Sequence, residues 1–220
     1  MKGLSRRTSV GLVLCIGYAV TGCAAADTLL DATLTPPILT EGFERPVTLD
    51  NMTYKAGQTF KTTTNTWNVT ASGIDIFSTA KPRADVAAYD GTQAVDMTAS
   101  PGAGAIETTF STIPKQQYTL TFHYARSNQI GNAAARMRAE VLGFLSLMQT
   151  EVTHDAESGS YNTYRRFSGN FTADGNQATL RFTSLTTGFH GITLDGISIR
   201  TVPASPPTPA GPLAPSAPTR

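Results

Sequence analysis

The chain has little cysteine, little charge and no long apolar run. Its two cysteines, Cys15 and Cys23, both fall near the N-terminus, so we predict no disulfide in the body of the chain. Stability must then come from core packing, strand pairing or a bound metal. Charged residues make up only 15%, with 17 Lys and Arg against 16 Asp and Glu, which disfavours nucleic acid as a partner. No apolar stretch reaches the roughly 20 residues of a transmembrane helix.

The N-terminus has the layout of an export signal. A basic head containing Lys2, Arg6 and Arg7 precedes an apolar stretch over 10–20, and small residues then lead to Cys23. This layout predicts a secretory signal over 1–22. A cysteine at this point resembles the lipobox of bacterial lipoproteins, which implies cleavage before Cys23 and its diacylation. An ordinary cleaved signal and twin-arginine export remain open alternatives.

Composition divides the rest of the chain into three zones. Residues 23–37 form a short polar tether, and 38–202 have the length of one domain. The tail over 203–220 holds seven prolines and cannot build a core, so we expect it to be extended and disordered. The predicted location is extracytoplasmic, with a lipid holding the chain to a membrane. Because Ala24 is not an acidic retention residue, the outer membrane is favoured in a cell with two membranes.

The body has the pattern of an all-β sandwich. Apolar and polar residues alternate over 118–124 and again over 178–183, which is typical of strands with one buried face. Gly-containing turn signals separate several short apolar runs, and this spacing favours a two-sheet antiparallel sandwich or jelly roll.

Two segments complicate that pattern. Residues 132–149 are rich in helix formers, yet alternation over 135–141 favours a strand through Val141, with a turn or short helix over 143–148. In the last strand, the alternation of inward-facing apolar residues shifts by one position at Asp195-Gly196. A slip of this kind predicts a bulge or break in the strand, which could re-aim Asp195, or a simple bend near a sheet edge.

Sugar recognition requires aromatic faces and planar polar groups. Trp67 is the only tryptophan, and its alternation with Val69 indicates a core residue. The better ligand candidates are tyrosines flanked by small polar residues, namely Tyr89, Tyr161 and Tyr164. Three arginines on polar strand faces, Arg136, Arg138 and Arg181, could hold a carboxylated polysaccharide, or could belong to an ordinary charged sheet face.

We find no enzyme signature in the sequence. The Gly-x-Ser-x-Gly and His-Glu-x-x-His motifs are absent, and the three histidines are far apart. Several acids could in principle form a glycosidase pair, but no spacing favours one pair over another.

Several short motifs follow one another in the order found in galactose-binding-like jelly rolls. They are Glu41-Gly42-Phe43-Glu44-Arg45-Pro46, the segments over 67–70, 73–76, 89–97 and 104–110, and Gly191 to Ile199. Over residues 39–200 the chain resembles the choice-of-anchor C group and related plant cell-wall-associated proteins. The resemblance implies a jelly roll at the cell surface that binds carbohydrate. It also implies a structural calcium held by Glu44 and Asp195 with carbonyls of the loop over 90–93.

The sequence therefore supports three functional hypotheses. The first is a lipid-anchored, noncatalytic domain that binds carbohydrate, with an acidic polysaccharide as one option. The second is a structural or protein-interaction domain of the cell envelope. The third, and least favoured, is a glycoside hydrolase.

Overall fold

The computed structural model describes residues 36–80, 87–99, 102–126, 134–155, 163–188 and 191–203. They belong to one compact unit, Thr35–Arg220, and contain no helix. Within these ranges nothing helical is therefore long and apolar enough to cross a membrane. The predicted signal, Cys23, nearly all of the tether and tail, and Tyr161 lie outside the described residues.

The described ranges form strands joined by turns. In chain order the strands are β1 (Leu39–Glu41), β2 (Asn51–Lys55), β3 (Thr59–Lys61), β4 (Thr66–Ala71), β5 (Gly73–Ser78), β6 (Gln93–Asp96), β7 (Thr98–Ala99), β8 (Gly102–Ala103), β9 (Ala105–Ser111), β10 (Gln117–Arg126), β11 (Ala135–Leu142), β12 (Ser146–His154), β13 (Arg165–Thr172), β14 (Gln177–Ser184) and β15 (Ile192–Thr201).

Two antiparallel sheets carry most of these strands. Sheet A has the order β13-β10-β15-β6-β5-β2, and β1 pairs with β15 as its seventh strand. Sheet B has the order β12-β11-β14-β9-β4-β3, while β7 and β8 form a separate small pair. The predicted all-β jelly-roll sandwich is confirmed.

The core lies between the two sheets. Phe122 on β10 and Phe182 on β14 form a T-shaped pair, with ring centroids 5.1 Å apart and an interplanar angle of 83°. Trp67 is fully buried and lies 6.4 Å from Phe182, so its predicted core position is confirmed. Packed aromatic pairs of this kind stabilise the sandwich beyond the area they bury.

The ambiguous segment is a hairpin. Residues 135–142 form β11, and the alternation predicts the strand through Val141. Its alternate residues Ala135, Met137, Ala139 and Val141 are fully buried, and the strand pairs with β12 and β14. The next strand, β12, begins at Ser146, so the short helix left open over 143–148 does not form. Pairing on both sides of β11 outweighs the helix propensity of its alanines and arginines.

The predicted bulge in β15 is present. Thr121 on β10 pairs with Ser198, and His123 pairs with Asp195, so Gly196 and Ile197 stand opposite the single residue Phe122. Gly196 adopts a φ of +56°, a conformation that glycine tolerates and other residues rarely adopt. The bulge turns Asp195 into the protein, where it is fully buried.

Candidate functional site

Tyr89 presents an exposed aromatic ring on a rigid support. Its ring lies parallel to the imidazole of His123, with centroids 3.5 Å apart and an angle of 9°. The tilted ring of Tyr164 lies 5.7 Å away, and its hydroxyl donates to the Ala87 carbonyl at 2.8 Å. Tyr89 nevertheless remains 50% exposed. Since the imidazole covers one face, the exposed half of the ring is available to a ligand.

The supporting imidazole is biased towards its neutral form. Burial lowers the pKa of His123, and the positive charge of Arg166 lowers it further, while a hydrogen bond with the Gly196 carbonyl acts in the opposite direction. The Nδ1 atom of His123 lies 3.2 Å from that carbonyl oxygen. The hydrogen bond fixes the ring in the position that Tyr89 covers.

Gly196 makes room for this stack. A Cβ atom at this position would lie 2.8 Å from Cδ1 of Tyr89 and 2.9 Å from Nδ1 of His123. Both distances are shorter than the separations that a Cβ atom keeps from non-bonded atoms. Gly196, the glycine at the bulge, therefore also leaves the space that the rings of Tyr89 and His123 occupy.

The backbone of Tyr89 is held by the buried carboxylate of Asp195. Its Oδ2 atom accepts hydrogen bonds from the amide of Tyr89 at 2.8 Å and from that of Asp90 at 3.1 Å. Its Oδ1 atom accepts from the amide of Gly196 at 2.6 Å. One side chain thus ties the loop that carries Tyr89 to the bulge beneath it.

The same burial makes Asp195 unusually basic. Desolvation raises its pKa from 3.8 to about 7, and the nearby carboxylate of Glu44 also raises it. The three backbone amides oppose the rise because they stabilise the ionised form. Asp195 in turn raises the pKa of Tyr164, for which desolvation is the larger cause.

Glu44 holds the other end of the loop. Its Oε1 atom accepts from the amides of Thr92 and Gln93 at 2.8 and 2.9 Å, and its Oε2 atom accepts from the hydroxyl of Thr92 at 2.9 Å. Gln93 adds a second connection, since its Nε2 donates to the Phe43 carbonyl at 2.6 Å. The loop over 89–93 is therefore clamped at both ends by acidic side chains.

This arrangement does not fit the calcium ion that the resemblance implies. Glu44 and Asp195 do reach the same loop, but the loop directs N–H groups at them, whereas calcium needs oxygen ligands. Across the described ranges, no group of three His, Cys, Asp or Glu residues has the geometry of a metal site. Calcium stays a prediction of the resemblance without support from the donors present.

A groove opens beside Tyr89. It has a volume of about 470 Å³, and its lining includes one aromatic ring, several hydroxyls and three acids. The lining residues are Thr40, Glu41, Gly42, Glu44, Thr62, Thr63, Thr64, Tyr89, Asp90, Gly196 and Ile197. Lysine and arginine do not occur in this lining. The groove thus offers a stacking face and hydrogen-bonding groups, with a negative rather than positive character.

Glu41 forms part of the wall and is already engaged. The carboxylate is buried, and its Oε2 atom accepts from the indole of Trp67 at 2.9 Å and from the hydroxyl of Thr62 at 2.6 Å. The amide side chain of Asn65 donates to the same oxygen at 2.9 Å. These bonds place the threonine-rich segment against the groove and link it to the core.

The predicted arginines lie elsewhere. Arg136 and Arg138 both bind Glu151, with N–O distances of 2.7 and 2.8 Å, and Arg181 binds Glu107 at 2.8 Å. All of them stand on strands of sheet B, whereas Tyr89 stacks on sheet A. The acids opposite them neutralise most of the charge that a carboxylated polysaccharide would need.

The structure thus brings together only part of the predicted ligand set. Tyr89 and Tyr164 are neighbours, Tyr161 lies outside the described residues, and the arginines form a separate ion-paired face. His123 and the threonines over 62–64 were not predicted from the sequence. The only sequence signal for His123 was the phase slip at Gly196, where His123 and Tyr89 meet, and the threonines had none.

Solved structures with a similar course of the chain include several described as carbohydrate-binding domains. The CBM22-1 xylan-binding domain of Paenibacillus barcinonensis Xyn10C is 14% identical, with a TM-score of 0.46, and the match covers 78% of this chain and 97% of that one. A family 35 carbohydrate binding module from Clostridium thermocellum is 16% identical, with a TM-score of 0.42 over 68% of this chain and 97% of that one. CBM35 from Paenibacillus barcinonensis is 19% identical, with a TM-score of 0.41 over 70% and 99%.

Comparison at the level of sequence gives a family. A search of curated proteins finds no match. The family model described as "Protein of unknown function (DUF642)" matches residues 38–200, which is nearly the whole body of the chain.

Proposed function

Because the chain belongs to the DUF642 family, whose description names no activity, we propose a function from the site itself: a noncatalytic domain that binds carbohydrate. The groove beside Tyr89 is the proposed binding site. The narrower resemblance to the choice-of-anchor C group stays a prediction.

The observation that carries this proposal is the exposed and fixed ring of Tyr89. A half-exposed ring stacked on His123 has little freedom to lose when a ligand arrives. The apolar face of a pyranose packs well on such a ring, and hydroxyls at its edge can bond to the threonines and acids of the groove.

The lining favours a neutral sugar over an acidic one. Glu44 and Asp90 would repel the carboxylates of an acidic polysaccharide, and the groove lining contains no cation to offset that repulsion. Arg136, Arg138 and Arg181, which we predicted as candidates for an acidic ligand, form ion pairs with Glu151 and Glu107. We therefore propose neutral polysaccharide as the ligand class of this groove.

Hydrogen bonding supports a noncatalytic role. Glycoside hydrolysis requires two carboxyl groups that reach the glycosidic bond, typically about 5 to 9 Å apart. Glu41, Glu44 and Asp195 instead use their oxygens to hold Trp67 and the loop over 89–93. Asp90 is the remaining acid of the lining, and one carboxylate does not supply the pair.

Attachment to a membrane through a lipid on Cys23 is a separate proposal. It depends on the export signal and not on the groove. In this arrangement the tether would hold a carbohydrate-binding domain outside the cytoplasmic membrane.

The test of the proposed function is a glycan array followed by calorimetry on any neutral glycan that binds. We expect Tyr89→Ala to weaken binding about fivefold to thirtyfold, since an aromatic platform contributes on the order of 1–2 kcal/mol. Tyr89→Phe should retain most of the affinity. Leu49→Ala, at a residue that is 68% exposed and outside the groove, is the control.

Binding unaffected by Tyr89→Ala would remove the groove from consideration. Failure to bind any neutral or acidic glycan would favour the alternative, a structural or protein-interaction domain of the envelope.

A further inference from the structure

Three turns meet at one end of the sandwich and form a second concave surface. The turns span 112–116, 143–145 and 173–176. The amide of Thr112 donates to the Asn176 carbonyl at 2.9 Å, and that of Lys115 donates to the Ala173 carbonyl at 2.7 Å. A cavity of about 510 Å³ lies among them, lined by Pro114, Leu142, Gly143, Phe144, Asp174, Gly175, Asn176, Gln177, Ala178 and Thr179.

Phe144 is the prominent feature of this end. It is 85% exposed, which is unusual for a ring at the edge of a cavity. Its backbone is nevertheless tied down by Asp174. The Oδ1 atom accepts from the amide of Phe144 at 3.1 Å, and Oδ2 accepts from that of Leu145 at 2.8 Å.

Two glycines allow this placement. A Cβ atom on Gly175 would lie 2.8 Å from Cε2 of Phe144, so the ring rests directly against the backbone there. A Cβ atom on Gly143 would collide with the carboxylate of Asp174. The ring is thus held by a fixed turn while most of its surface remains open.

The polar groups around the ring suit a sugar. The amide side chains of Asn176 and Gln177 line the cavity, and both residues are exposed. Each amide offers donors and acceptors in one plane, the arrangement that neighbouring sugar hydroxyls require. Thr179 adds a third polar residue to the lining and lies on β14 with Gln177, whereas Asn176 belongs to the preceding turn.

The alternative occupant is a membrane surface. Leu145 and Ile113 are 74% and 64% exposed near Phe144, and apolar tips of this kind can enter a bilayer interface. Membrane-binding surfaces usually add several lysines or arginines, whereas the turn over 112–116 has Lys115 alone and the cavity lining has none, and Asp174 would be repelled by anionic lipids. The lining therefore fits a neutral sugar better.

We propose that this surface, called here the Phe144 site, is a second carbohydrate-binding site. A neutral pyranose would pack on the exposed face of Phe144, with its hydroxyls on Asn176 and Gln177. The site shares the ligand class of the proposed function, on which it rests, but none of the groove residues. His123 lies six positions along β10 from Gln117, which adjoins the turn over 112–116, so about 20 Å of strand separates His123 from that turn.

The experiment measures affinity and stoichiometry for the full chain and three variants, Tyr89→Ala, Phe144→Ala and the double variant. Cellohexaose, xylohexaose and maltohexaose serve as soluble probes. We expect about two molecules bound per wild-type chain, about one for each single variant and none for the double variant. Leu145→Ala is the matched control, since it removes an exposed apolar neighbour outside the cavity lining.

A second measurement guards against an indirect effect of Phe144→Ala. Gln177→Ala should weaken the same binding event at least threefold, and the backbone amide resonances of residues 174–179 should shift when the probe is added. Wild-type stoichiometry in Phe144→Ala would overturn the Phe144 site while leaving the groove intact.

Two further outcomes separate this inference from the proposed function. If Phe144→Ala abolishes all binding and Tyr89→Ala binds like the wild type, the Phe144 site is retained and the groove is rejected. Binding to phosphatidylcholine vesicles that Phe144→Ala removes, without binding to any sugar probe, would identify a membrane contact and overturn the inference.

Discussion

The imidazole of His123 lies flat beneath the ring of Tyr89, 3.5 Å away and 9° from parallel. His123→Ala should therefore weaken binding at the groove by about threefold to tenfold, because Tyr89 loses the support that restricts its ring. The unfolding midpoint should change little, since neither ring belongs to the core between the sheets. Calorimetry and thermal melts check both parts. Thr121→Ala, on the same face of β10, should leave affinity unchanged; equal losses in the two variants would contradict the role of His123.

Gly196 is expected to be the least replaceable glycine of the site. Gly196→Ala adds a contact with Tyr89 and His123 to the unfavourable φ of +56°, so we expect a loss of about 2–4 kcal/mol in the free energy of unfolding together with weaker ligand binding. Denaturant titration measures the loss.

Gly57 provides the matched control for that change. Its φ is +85°, but no atom lies within 4 Å of the position a Cβ would take. Gly57→Ala should cost about 1 kcal/mol, from backbone strain alone, and should not affect binding. If both variants lose the same stability, the contact with Tyr89 is unimportant.

Asp195 should make stability depend on pH in an unusual direction. Its pKa is raised from 3.8 to about 7, so between these values the folded chain binds a proton that the unfolded chain has released. The contribution of Asp195 to the free energy of unfolding must then fall as pH rises from about 4 to about 7.

Comparison with Asp195→Asn isolates this contribution. The groups around Asp195, among them Glu44, Tyr164 and Asp96, are present in both proteins, as is His123, whose lowered pKa acts in the opposite direction. We expect the stability of the wild type relative to the variant to be smaller at about pH 8 than at about pH 5. A difference that does not vary with pH would show that the three amide donors keep Asp195 ionised throughout.

The lipid proposal is tested at Cys23. Cys23→Ser should move the protein from the membrane fraction to the soluble extracytoplasmic fraction, with the melting temperature of the domain unchanged. Mass spectrometry of the N-terminal peptide should show the diacyl group only in the wild type. Cys15→Ser removes the other cysteine and should leave attachment intact. Continued membrane association of Cys23→Ser would reject the proposal.

Much of the fold could be predicted because it depends on local alternation. The inward residues of β10 and β11 are readable from a period of two, and the phase slip at Asp195 locates the bulge. The ring pair at the groove could not be predicted in the same way. Tyr89 lies in a loop, and its partner lies in a strand 34 positions later, so only the tertiary pairing brings them together.

The chemistry of the acids illustrates a second limit. Glu44 and Asp195 contact the same loop, but the orientation of each peptide group decides whether that loop offers carbonyls or amides. Side-chain spacing contains no information about that orientation. Likewise, the register of β11 against β12 places Arg138 opposite Glu151, and this register decides whether the arginine is free for a ligand.

The position of β15 has a consequence for how the protein is made. This final strand stands inside sheet A and pairs with β10, β6 and β1, so the sheet has a gap until the last part of the domain is available. Asp195, which fixes Tyr89 across 106 residues, arrives with the same strand. Until residue 201 has been synthesised, sheet A therefore consists of two unjoined parts, β13-β10 and β6-β5-β2, and cannot be completed.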